Sequence, residues 1–181
     1  DELHFLEPSA LRMAYTHPMD DGQERTFKVK FEGEGVDDYG GPYREFFSTV
    51  CGELQAIAET SEGVGGAAAA AKPSGEVDEL VAECVLPLLV PSMNAQRKLG
   101  ECQEHYVINP RTGRLSGGSS QLYSEMYSFV GQFIGIALRS NVSLDLSLPS
   151  VVWKVLVGEQ LDWKDVQMMD ASQTDVLREL H

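Results

Sequence analysis

Gln121-Leu122-Tyr123-Ser124-Glu125-Met126-Tyr127-Ser128-Phe129-Val130-Gly131-Gln132-Phe133-Ile134-Gly135-Ile136-Ala137-Leu138 is the stretch from which the fold is read. Leu122, Met126, Phe129, Val130, Phe133, Ile134, Ala137 and Leu138 recur at steps of three and four, the spacing that places apolar side chains on one face of a helix. The stretch therefore predicts a core-facing helix, the hub of the domain. Gly131 and Gly135 fall on one side of it. Their expected role is to let a second backbone come close, offsetting about 1 kcal/mol of lost helix propensity at each. A membrane span is not predicted, because about 20 consecutive apolar residues are needed and Glu125, Ser128, Gln132 and Arg139 interrupt the run.

Upstream of the hub the period changes to two. Phe27, Val29 and Phe31 alternate with Lys28, Lys30 and Glu32, which predicts a half-buried strand starting at Arg25. It runs into Gly33-Glu34-Gly35-Val36-Asp37-Asp38-Tyr39-Gly40-Gly41, and Pro42 is expected at the first position of the following helix, where its missing N–H has no intrahelical partner to lose. Tyr43, Phe46, Phe47, Val50, Cys51 and Leu54 form that helix's apolar stripe. A Gly-rich loop feeding a helix raises the idea of a phosphate site. A phosphate loop, however, requires Lys followed by Ser or Thr, and Glu34, Asp37 and Asp38 would repel an anion. The same carboxylates miss the ligand spacing of an EF-hand, so the segment reads as a tight acidic turn.

The remaining segments are read in the same way. Phe5, Leu6, Leu11 and Met13 suggest a short helix in the lead-in, residues 1–24. Residues 60–75 are Gly- and Ala-rich, with too little apolar surface to order themselves, and read as a surface loop. An apolar run over residues 80–90 and the short Tyr106-Val107-Ile108 predict a hairpin-like pair, with residues 94–104 a polar loop between them. Pro149 is expected to start a helix carrying Val151, Val152, Val155 and Leu156 inward. Two short helices follow over 161–169 and 172–180, with Asp162 and Ser172 as caps.

Acidic residues number 28 against 14 basic, a net charge of −14 that disfavours a nucleic-acid surface and favours partners with basic patches. Cys51, Cys84 and Cys102 are an odd number without a close pair or a Cys/His ligand spacing, so neither a disulfide framework nor a metal site is read from them. A reducing, intracellular and cytoplasmic setting is expected. The N-terminus carries acidic and polar residues where a secretory signal would have a basic stretch and an apolar run.

Three stretches in order resemble one family, the HECT-type ubiquitin ligases. They are residues 27–47 with Gly40, Gly41, Pro42, Arg44 and Glu45, then Leu86-Pro87-Leu88-Leu89-Val90-Pro91-Ser92-Met93-Asn94 with Tyr106-Val107-Ile108-Asn109-Pro110, and Phe129 to Leu138 with Gly131 and Gly135, continuing through Leu144-Asp145-Leu146. The turn wording is most similar to the giant multidomain members. The resemblance implies an α+β, mostly α fold: the large part of a HECT N-lobe, with short strands packed around a central buried helix. It implies residues 25–160 as the large subdomain and 161–181 as the start of the helical subdomain that binds the ubiquitin-conjugating enzyme. In the family a separate C-lobe supplies the Cys that accepts ubiquitin as a thioester, and nothing in this sequence resembles that segment. The fragment is therefore expected to act as a scaffold with no catalytic residue, cofactor or metal of its own. Its expected partners are the conjugating enzyme, ubiquitin and the missing C-lobe, with neither nucleic acid nor membrane. The competing reading is a stand-alone acidic protein-interaction module.

Overall fold

The computed structural model describes residues 3–16, 22–31, 33, 40–57, 84–114 and 116–179, without the side chains of 4, 175 and 177–179. Residues 34–39 of the acidic turn and the whole of the 60–75 segment lie outside the described residues. The described chain runs β1 (Tyr15–Thr16), β2 (Glu24–Arg25), α1 (Gly41–Gln55), β3 (Leu89–Pro91), α2 (Met93–Arg97), β4 (Tyr106–Ile108), α3 (Gly118–Arg139), α4 (Ser150–Val157), α5 (Trp163–Gln167) and α6 (Ala171–Glu179). Three 3-10 turns lie at Leu3–Phe5, Ala10–Arg12 and Thr112–Arg114. This is a mostly helical α+β chain. It divides into two compact units, one of Asp1–Glu53 with Thr112–Asp145 and one of Leu54–Arg111 with Leu146–His181.

The first unit is built on rings. Tyr43 and Phe47 from α1 and Phe133 from α3 are fully buried, and Phe133 lies 5.0 Å from Phe47 between centroids. Phe27 packs on Tyr43 at 5.0 Å and on Phe46 at 5.2 Å. Beside the rings, the Tyr43 hydroxyl meets Ser140 Oγ at 2.8 Å and accepts from the Thr26 N–H at 3.3 Å. The buried Arg25 guanidinium sits over the Tyr43 ring at 5.6 Å. These contacts explain a departure from expectation. The regular strand ends at Arg25, because the Thr26 N–H turns to Tyr43 and Phe27 is drawn into the cluster, although the alternating burial of residues 27–31 is kept. The ladder that does form pairs Tyr15 with Arg25 and Thr16 with Glu24.

α3 is the long helix its periodicity predicts, but its burial is concentrated near the C-terminus. Phe133, Ile136, Ala137 and Ser140 are buried, whereas Leu122 and Leu138 are exposed. The inward face follows the i, i+3, i+4, i+7 rows from Phe133, one position away from the expected stripe at its end. The helix stops in a Schellman arrangement, with Val142 N–H donating to Ala137 O at 2.9 Å and Asn141 in the left-handed region at φ 51°.

The expected close approach at Gly131 and Gly135 is not found. A Cβ at Gly131 would meet nothing within 4 Å among the described residues, and at Gly135 only the Arg139 guanidinium at an ordinary 3.6 Å. Both lie off the face that Phe133, Ile136 and Ala137 bury. Gly131→Ala should therefore raise stability by about 0.5–1 kcal/mol through helix propensity alone. A fall in the urea midpoint of that variant would restore the close-packing reading.

The second unit holds the expected pair. β3 and β4 run antiparallel with Leu89 opposite Ile108, Val90 opposite Val107 and Pro91 opposite Tyr106. Leu88, Leu89, Val90, Ala95, Leu148 and Ala171 form its apolar interior. Asn109 shapes the following turn, its Oδ1 accepting from the Arg111 N–H at 3.0 Å and its Nδ2 donating to Pro87 O at 2.8 Å. Residues 94–104 are not all loop. Ser92 caps α2 by accepting the Ala95 N–H at 3.1 Å, a signal present in the sequence and outweighed there by the polar residues after it.

Candidate functional site: a capped corner and its apolar face

The corner formed by α4, α5 and the link between them carries the most organised polar cluster of the second unit. Asp162 caps α5, accepting from the Lys164 and Asp165 N–H groups at 2.8 and 3.1 Å. Asp165 reaches back to the Asp162 N–H at 2.8 Å, completing a capping box. The buried Asp165 carboxylate also accepts from Ser150 Oγ at 2.7 Å and from Lys154 Nζ at 2.8 Å. The Asp162 backbone N–H first, then Lys154 and Ser150, hold its pKa down from 3.8 to about 2. Its hydrogen bond to Asp165, above all, pushes the Lys154 pKa up.

The sign of the resulting pH dependence is fixed. Because the folded Asp165 titrates below the unfolded one, its stabilising contribution is complete above pH 3.8 and is lost as pH falls through about 2. Asp165→Asn should be less stable than the parent at neutral pH, with the gap closing across that acid window in urea titrations. A gap independent of pH would show that the carboxylate charge is not what matters.

Ser150 and Lys154, four residues apart, turn one face of α4 toward Asp165. The helix is apolar nearly all round, so its other face is left outside. Val151 and Val152 are half-buried as expected, but Val155 (61%) and Leu156 (64%) are exposed, contrary to the expected inward stripe. Trp153, Val157, Leu161 and Trp163 join them in an exposed apolar set. So many exposed large apolar side chains within eleven residues of sequence are unusual for a surface facing water. Asp170, not Ser172, caps α6: its Oδ1 accepts the Gln173 N–H at 3.1 Å and the Ser172 hydroxyl at 2.7 Å.

The profile of the HECT-domain (ubiquitin-transferase) family matches residues 86–181, which contain this corner and the β3–β4 pair. The chain belongs to the HECT-domain family. It is 31% identical over 146 residues to mouse E3 ubiquitin-protein ligase HERC2 and 30% identical over 146 residues to human HERC2, 81% of this chain in each case. It is also 30% identical over 151 residues, 83% of the chain, to human probable E3 ubiquitin-protein ligase HECTD4. The chain spans 2% of the length of HERC2 and 3% of HECTD4. No solved structure matches the chain.

Against the HECT-domain background the remaining site residues separate clearly. Gly40 is buried at φ 106°, a conformation that favours glycine, and its carbonyl accepts the Arg44 N–H at 3.2 Å. α1 thus begins at Gly41, and Pro42 takes the second helical position, where an N–H would still lack an intrahelical partner. Arg44 donates to Gln23 Oε1 at 3.2 Å, and Gln23 in turn donates to Ser140 O at 3.0 Å. Glu45 is exposed. Gly131 and Gly135 are brought to no common partner among the described residues.

The three cysteines differ in their settings. Cys51 is fully buried, and burial pushes its thiol above the ordinary value. Burial, then the charges of Glu104 and Glu101, push the Cys102 thiol up as well. Cys84 is half-buried in an isolated bridge opposite Ile57. One grouping was not legible in the spacing. Cys102, Glu104 and His105 place a ligand atom each within 4.8 Å of one another. Among the described residues no helix is long and apolar enough to cross a membrane.

Proposed function

We propose that the chain is the N-lobe portion of a ubiquitin-transferase domain, with residues 25–160 its large subdomain and 161–181 opening the helical subdomain that binds the conjugating enzyme. The observation that carries this reading is the family match over residues 86–181. In this role the chain is a scaffold that holds the charged conjugating enzyme and the thioester-bearing C-lobe in a productive relation, and the parent protein passes ubiquitin through that lobe's Cys to substrate lysines. The exposed apolar residues Trp153, Val155, Leu156, Val157, Leu161 and Trp163 support it, as side chains available for the rest of the domain to cover. Its three cysteines, none of them in a disulfide, fit an intracellular, reducing compartment.

The chain itself should form no ubiquitin thioester. A transfer nucleophile needs an accessible, readily formed thiolate, and the settings of Cys51 and Cys102 disfavour one. After incubation with activating enzyme, charged conjugating enzyme and ubiquitin, a reducing-agent-sensitive adduct on Cys51, Cys84 or Cys102 would overturn this assignment. The scaffold role is tested in a chain extended through the C-lobe. There Leu156→Asp should slow loading of the lobe's Cys several-fold while leaving the urea midpoint of the 181-residue chain unchanged. Undiminished loading would show that Leu156 plays no part in holding the partners together, and no loading even in the unsubstituted extended chain would favour the competing reading, an acidic interaction module with no catalytic parent.

A further inference from the structure

The turn between α2 and β4 gathers three metal-ligating side chains of different chemistry. Cys102 Sγ, a Glu104 carboxylate oxygen and a His105 ring nitrogen all lie within 4.8 Å of one another. His105 Nε2 is 3.6 Å from Glu104 Oε1, and the ring is largely enclosed, with Nδ1 buried and without a hydrogen-bond partner among the described residues. The backbone fixes this arrangement. Lys98, Gly100 and Cys102 all adopt left-handed φ angles of 54°, 66° and 57°, and the His105 N–H donates to Cys102 O at 3.3 Å, closing the turn.

The turn is also anchored at both ends. Asn94 Nδ2 donates to Glu101 O at 3.0 Å on one side, and on the other the Ser92 N–H donates to His105 O at 2.8 Å. The ligating side chains therefore sit on a held loop. An ion about 2.0–2.3 Å from each donor would draw these atoms, already within 4.8 Å of one another, closer together on that loop.

We propose that residues 102–105 form a binding site for one thiophilic divalent cation of the zinc type, held by Cys102, Glu104 and His105. A donor set of thiolate, imidazole and carboxylate suits zinc and excludes calcium or magnesium, which take oxygen ligands. On binding, the Cys102 S–H proton leaves to solvent and a metal–sulfur bond forms, with no change of oxidation state. Three ligands within four residues make this a local clamp on the α2–β4 turn. The site is independent of ubiquitin transfer and would stand if the scaffold reading failed.

Cobalt titration of the 181-residue chain under reducing conditions tests the assignment, since cobalt reports thiolate ligation by a near-ultraviolet charge-transfer band. One equivalent should produce the band, and zinc should abolish it by displacement. Cys102→Ser should lose the band, whereas Cys51→Ser and Cys84→Ser should keep it. Glu104→Gln, at an exposed position that leaves the fold intact, and His105→Gln should each weaken cobalt binding about tenfold or more. Absence of the band, its survival in Cys102→Ser, or binding unchanged in Glu104→Gln would overturn the site.

Discussion

Asn94→Leu should destabilise the second unit by roughly 3–5 kcal/mol, a large fraction of what a domain of this size has to lose. Asn94 is 1% exposed and ties three separate segments together with one side chain. Its Nδ2 donates to Glu101 O at 3.0 Å and to Gln167 O at 2.9 Å, and its Oδ1 accepts the Ala171 N–H at 2.7 Å. Leucine has nearly the same volume, so packing is largely conserved while three backbone groups, that of Ala171 buried and those of Glu101 and Gln167 part-buried, lose their partner. A buried group costs about 1–3 kcal/mol to leave unpaired, and a part-buried one toward the lower end of that range. The local geometry leaves little room to relax, because Gly100 is at φ 66° and a Cβ there would come within 2.8 Å of Ala171 Cβ. Trp153 and Trp163 both belong to this unit, which makes tryptophan fluorescence in urea the direct readout. A loss below about 1 kcal/mol would mean that the Asn94 bonds contribute little. Gln103→Ala, which removes only an exposed bond to Gly100 O, is the matched control and should shift the midpoint little.

In the first unit, Phe133→Ala should cost about 3–5 kcal/mol, the range for removing a fully buried aromatic ring. Phe133 is 1% exposed and stands among Phe46, Phe47 and Phe129 at centroid distances of 6.2, 5.0 and 6.5 Å. Deleting the ring leaves a cavity that the stiff neighbouring rings cannot easily fill. Far-UV circular dichroism in urea reads the loss through α1 and α3. The contrast with Leu138 is decisive, since both belong to the apolar stripe read from the sequence. Leu138→Ala, at a position 77% exposed, should change stability by less than about 0.5 kcal/mol. Equal effects at the two positions would refute the assignment of the inward face.

The family was legible because three stretches in order resemble it, and the long helix because periodicity alone specifies it. The β3–β4 pair and the Asp162 cap were equally local signals. What periodicity left open was which residues of a stripe are covered, because coverage depends on what lies opposite. α3 shows this at Leu122 and Leu138, and α4 at Val155 and Leu156, where the polar hold of Asp165 on Ser150 and Lys154 chooses the buried side. The expected strand beyond Arg25 failed for a related reason. Its alternation was real, but Tyr43 and the ring cluster compete for Thr26 and Phe27.

By itself, then, the sequence determined the helices other than α2, the short strand pair and the family, since each rests on contacts among near neighbours or on a pattern of residue types. Only the tertiary structure decided the rest. Among the described residues it left Gly131 and Gly135 without the close neighbour their spacing suggested, and it made Asn94 the tie between segments 73 and 77 residues apart. It also folded Cys102 back toward His105 through a left-handed backbone that no spacing rule anticipates. Side-chain convergence of this kind is set by φ angles and by partners distant in sequence, and one-dimensional order carries neither.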